Sequence, residues 1–102
     1  MKKITLYIGL NDKDSKVQEI DTLEATKIAT KVITTYADGG TIFNASGIYR
    51  HDDGTIVIEN TLKIELIEPT TEAVQAIVNT LKVAFNQESV IKQTDVINSE
   101  FC

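Results

Sequence analysis

The residues best suited to chemistry crowd into one turn. Tyr49-Arg50-His51-Asp52-Asp53-Gly54-Thr55 holds the only Arg and the only His of the chain. A guanidinium there can fork onto a phosphate, and an imidazole can move a proton near neutral pH. Asp53-Gly54 between apolar runs predicts a tight β-turn, because Gly accepts positive φ and Asp tolerates it. That turn explains Asp53 and Gly54 without any function, and leaves Arg50 and His51 to face either a ligand or water.

Catalysis assembles poorly from this set. Adjacent Asp52 and Asp53 diverge in a turn and do not form an acid and base pair. One His and the single Cys102 cannot supply a zinc site, and no glycine-rich phosphate loop or nucleophile motif is present. The expectation is no enzyme, no cofactor and no metal. Binding asks less: Arg50 could hold a phosphate, an aromatic ring could stack on a base, and Asn44, Asn60, Thr61 or Asn86 could orient base or sugar edges. Asn44 and Asn60 interrupt an apolar strand pattern, so each is read either as a pocket residue or as a hydrogen-bonding partner of a neighbouring strand or subunit.

The elements that must position these residues follow from periodicity. Lys3 to Leu10 alternates as a half-buried strand. Asp21 and Glu24 have capping-box spacing before a helix over about 22–36, with Leu23, Ile28, Ala29, Val32, Ile33 and Tyr36 as its apolar stripe. Ala37-Asp38-Gly39-Gly40 stops that helix, the glycines offering a left-handed close. Strands are expected over about 41–50 and 55–67, with Ile56, Ile58, Leu62, Ile64 and Leu66 on the core face of the second. Pro69 ends it, and Thr70 or Thr71 caps a second helix whose stripe is Val74, Ile77, Val78, Leu81 and Phe85. Ser89 to Ile97 reads as a fourth, edge strand.

The order β-α-β-β-α-β predicts one ferredoxin-like α+β domain over residues 1–102, an antiparallel four-stranded sheet with two helices on one face. Strand parity then leaves Tyr7, Phe43, Tyr49, Thr61 and Lys63 on or near an open sheet face. Those aromatics could stack on bases, but 15 acidic against 10 basic residues give a formal charge of -5, which opposes binding to a nucleic acid polymer or an anionic membrane. A second copy covering Tyr7, Phe43 and Val57 accounts for the face better, so a homodimer or higher homo-oligomer is expected. A lone cysteine and an opening apolar stretch cut short by Asn11-Asp12-Lys13-Asp14 point to the cytoplasm, with Cys102 read as an exposed thiol.

The opening run Lys3 to Asp14, the central run Gly47 to Glu65 and the six-element order resemble short proteins of phages and prophages of Gram-positive bacteria, among them the first family of Thoeris anti-defence proteins. The resemblance implies a sponge that sequesters a cyclic ADP-ribose isomer without cleaving it, in pockets formed with an oligomeric partner, inside the infected host. Set beside it, the bottom-up candidates for ligand contact are Arg50, Tyr49, Asn60, Phe85 and Asn86. The alternative is a protein-protein inhibitor of a bacterial defence complex, similar to an anti-CRISPR.

Overall fold

The computed structural model describes residues 1–102. It contains β1 (Lys2–Gly9), α1 (Thr22–Tyr36), β2 (Thr41–Arg50), β3 (Ile56–Ile67), α2 (Thr71–Ala84) and β4 (Ile91–Val96). The strands form one antiparallel sheet in the order β2-β3-β1-β4, so the α+β, β-α-β-β-α-β expectation holds. Both helices start as their sequences dictate. The Asp21 carboxylate accepts from Glu24 N at 2.9 Å and the Thr70 hydroxyl from Ala73 N at 3.0 Å, each satisfying an otherwise free first-turn amide.

The core lies between the helices and the even-numbered face of the sheet. Leu6, Ile8, Leu62 and Ile64 meet Ala25, Ala29, Ile77 and Leu81, all fully buried. The stripe of α1 differs from expectation at its ends. Leu23 is 66% exposed and Tyr36 is 44% exposed, while Ala25 takes the buried place; a small residue lets the helix approach the sheet closely. The end of α1 differs too. Ala37 is extended, and among the glycines only Gly54 has positive φ. Gly40 is instead needed for space, since a β carbon there would meet Leu66 Cδ2 at 2.8 Å and Glu65 O at 3.1 Å.

The β2-β3 hairpin outruns its cover. β1 stops pairing at Gly9↔Thr61 while β2 and β3 continue to Arg50↔Ile56, drawing the molecule out to 46 × 24 × 23 Å. Ile48, Ile56 and Ile58 lie on the core-facing parity yet are 70%, 58% and 67% exposed, because no helix reaches them. The parity expectation is correct for Ile56 and Ile58; their burial is not. At the tip, His51 N donates to Thr55 O and Gly54 N to His51 O, with Gly54 at φ +90, as the Asp53-Gly54 pair predicts. The Asp53 carboxyl is held below its ordinary range by hydrogen bonds from the Thr55 backbone and side chain.

Candidate functional site: a glycine-floored groove on the open sheet face

The uncovered sheet face divides into two halves. Near the β1 start, charged side chains close it over: Lys3 and Lys63 approach Glu65 at 3.6 and 3.7 Å, and the Lys63 ammonium stands 5.2 Å from the centre of the Phe43 ring. Toward the hairpin the side chains shrink. Gly9, Thr61 and Ala45 form one cross-strand row and Gly47 and Glu59 the next, so a cavity of about 580 Å³ opens above them.

Two glycines make the floor. A β carbon on Gly47 would stand 2.8 Å from Thr61 Oγ1, and one on Gly9 would meet Glu59 Cδ at 2.6 Å and Oε2 at 2.7 Å. The Glu59 carboxylate thus lies across the backbone of β1, where it accepts from Asn11 N at 3.0 Å through Oε2. Tyr7 and Tyr49 flank this floor together with Val57 and Ile91. Tyr49 meets His51 edge to face, centroids 5.3 Å apart, and His51 also lines the cavity.

The far wall is the loop after β1, which brings Asn11, Asp12, Lys13 and Lys16 to the cavity beside Gln87 and Glu88. The loop is folded around one carboxylate: Asp12 Oδ1 accepts from Asp14 N at 2.8 Å and Ser15 N at 3.0 Å. These bonds and one from the Asn86 side chain stabilise the anion, led by the Ser15 amide, and lower the Asp12 pKa below its ordinary 3.8.

Of the five residues expected to contact a ligand, the structure brings only Tyr49 to the groove. Arg50 pairs with Ile56 on the opposite sheet face, since successive strand residues alternate sides. Asn60 shares that opposite parity and donates to Gln18 Oε1 at 2.7 Å, a partner in the segment between β1 and α1 rather than in a neighbouring strand. Phe85 is 4% exposed in the core cluster. Asn86 stands behind the loop, bonded to Asp12 and Asp14. Glu59, Gly9 and Gly47 were missed by sequence reasoning. Their signal was the shared open-face parity of two strand glycines and a carboxylate, legible only once the register is known.

No helix is long and apolar enough to cross a membrane. Among curated proteins none matches the chain. Among solved structures the fold is similar to a phage SAM lyase in complex with S-methyl-5'-thioadenosine, at 24% identity and a TM-score of 0.70 over 92% of this chain and 79% of that one. It is also similar to CutA from Synechococcus elongatus (14% identity, TM-score 0.58, 94% of this chain and 75% of that one) and to CutA1 from Oryza sativa (17%, 0.59, 99% and 84%). The model of the family described as protein of unknown function DUF3574 matches residues 3–101, and the chain belongs to that family.

Proposed function

We propose that this protein is a phage anti-defence protein that takes an adenosine-bearing small molecule into the open-face groove and lowers its free concentration. The observation that carries the reading is the Glu59 carboxylate lying over Gly9 in a groove that Gly47, Tyr7 and Tyr49 also line. A groove whose floor carries no bulky side chain at Gly9, Ala45 or Gly47, beside aromatic rings, suits a purine, and a fixed carboxylate suits a cation. An adenosyl sulfonium such as S-adenosylmethionine combines both. The fold shared with a phage SAM lyase that binds S-methyl-5'-thioadenosine supports the same ligand class.

The cyclic ADP-ribose isomer expected from sequence is the second reading, favoured by Lys13 and Lys16 on the groove's far wall. Their ammonium groups could meet a pyrophosphate. Against it stand Asp12, Glu59 and Glu88 in the same lining, which leave the site without excess positive charge.

Capture without cleavage remains the proposed mode. An adenosyl sulfonium is itself activated toward breakage of a carbon-sulfur bond, because the departing electron pair neutralises sulfur and leaves a thioether. Product analysis therefore belongs with the binding test. Titration calorimetry with S-adenosylmethionine, S-methyl-5'-thioadenosine and cyclic ADP-ribose, followed by mass spectrometry of the released ligand, is expected to show saturable binding of the sulfonium and its recovery intact. Preferential binding of cyclic ADP-ribose would reassign the ligand; appearance of S-methyl-5'-thioadenosine from the sulfonium would make the protein a lyase.

A second copy of the chain is the proposed partner. Ile48, Ile56 and Ile58 form an apolar stripe beyond the helices, and β3 has no β1 partner along that stretch. Both the side chains and the strand edge are relieved by pairing with another copy.

A further inference from the structure

We propose that Asn86 is a positioning residue for the groove, acting as a latch that fixes the loop over residues 11–17 against the end of α2. The inference rests on the groove being the ligand site, but its geometry is independent of which ligand enters.

Asn86 follows the Phe85 cap of α2 and is left-handed, at φ 47. That conformation turns both its backbone carbonyl and its side chain toward the loop. The carbonyl accepts from Lys13 N at 3.0 Å. The side-chain amide donates to Asp12 Oδ2 at 3.0 Å and to Asp14 Oδ2 at 2.8 Å. One amide with two hydrogens thus serves two carboxylates that would otherwise repel each other. Gln87 adds a bond from Nε2 to Asn11 O at 2.6 Å. The loop so held carries Asp12, Lys13 and Lys16 to the groove, and the Lys16 ammonium is in turn bound to Lys13 O at 2.6 Å.

A helix-closing Asn needs only its backbone, and Gly serves that purpose equally well. The side chain is the distinguishing part. No other side-chain amide is bonded to Asp12 or Asp14, so removing it frees Asp14 and leaves Asp12 held only within its own loop, by the Asp14 and Ser15 amides, while the fold's core is untouched. The titratable groups around the position are Asp12, Asp14 and Lys13 on the loop, Glu19 across the small cleft that Asn86 shares with it, and Glu88 two residues on. Four of these five are acidic. A carboxylate placed at residue 86 would therefore face mostly like charge and take up a proton more readily than an isolated one.

The test compares Asn86→Gly and Asn86→Asp with the unmodified protein, using S-adenosylmethionine and S-methyl-5'-thioadenosine as probes and amide hydrogen exchange of residues 12–17 as a separate readout. Asn86→Gly is expected to keep its melting temperature, exchange faster in the loop and bind the better probe roughly tenfold more weakly, since displacing a site wall by a fraction of an ångström is costly. Asn86→Asp is expected to bind weakly at about pH 8 and to recover only in part by about pH 5, as the added carboxyl regains one proton to donate where the amide has two. Unchanged loop exchange and unchanged affinity in Asn86→Gly, or a pH-independent defect in Asn86→Asp, would overturn the latch. If the unmodified protein bound neither probe, the ligand reading would fail, and loop exchange would still decide whether Asn86 holds the loop.

Discussion

The Glu59 carboxylate occupies the space that a side chain on Gly9 would need, with Cδ at 2.6 Å from the position of the missing β carbon. The two residues sit on adjacent strands, and Gly9 pairs with Thr61 rather than with Glu59. The carboxylate therefore leans along the sheet over β1, and its bond from Asn11 N keeps it there. A glycine in a strand weakens the strand unless something must approach its backbone, and here a charged group does.

Gly9→Ala is expected to push the carboxylate off the floor while leaving the fold intact. The neighbour that must move is the end of a flexible side chain, so the loss in stability should stay within about 1 kcal/mol, readable by denaturant unfolding. Ligand affinity should fall roughly tenfold, corresponding to about 1.4 kcal/mol, in the same preparation.

The groove wall should loosen in acid before the core does. The Asp12 pKa is lowered in the folded chain by the Ser15 amide, the Asn86 side chain and the Asp14 amide. Its contribution is therefore complete above the unfolded value of 3.8 and is lost as pH falls through the lower folded value. Amide exchange of residues 13–16, corrected for the intrinsic pH dependence, should lose protection below about pH 4 while the Leu6 and Ile64 amides keep theirs.

Residues of one parity on β3 should divide sharply by position. Leu62→Ala removes a fully buried side chain and is expected to cost about 2–5 kcal/mol in equilibrium unfolding. Ile58→Ala, four residues earlier on the same face and 67% exposed, should cost less than about 0.5 kcal/mol in a monomer.

That exposed stripe gives the assembly prediction. Sedimentation of the unmodified protein should show a concentration-dependent dimer or larger homo-oligomer, and Ile48→Lys or Ile58→Lys should shift it to monomer without loss of helix content. A monomer at all concentrations would remove the second copy from the account.

The fold was legible because its signals are local. Alternation in Ile4, Leu6 and Ile8, the Asp21 and Thr70 caps and the Asp53-Gly54 turn each depend on a few neighbouring residues, and together they specify the element order. Of the five ligand-contact candidates only Tyr49 lines the groove, although Tyr7 and Thr61 were legible on the open face and His51 at the turn. Arg50 drew attention by rarity, yet its place one residue along the strand from Tyr49 sends it to the other face. Gly9, Gly47 and Glu59 lie in three segments and meet only through the register of β1, β2 and β3. Asn86 was legible as a candidate ligand contact but not as a support: its partners Asp12 and Asp14 are 74 and 72 positions away.

The most direct test of the central claim is a paired titration of the unmodified protein and Glu59→Gln with S-adenosylmethionine and with neutral S-methyl-5'-thioadenosine. Gln keeps the shape and can still accept from Asn11 N, so only the charge is removed. The expected result is a roughly tenfold loss of affinity for the sulfonium, about 1.4 kcal/mol, with the neutral thioether nearly unaffected. Equal affinities of both proteins for the sulfonium, or no binding of either molecule to the unmodified protein, would contradict a groove built around the Glu59 carboxylate for an adenosyl cation.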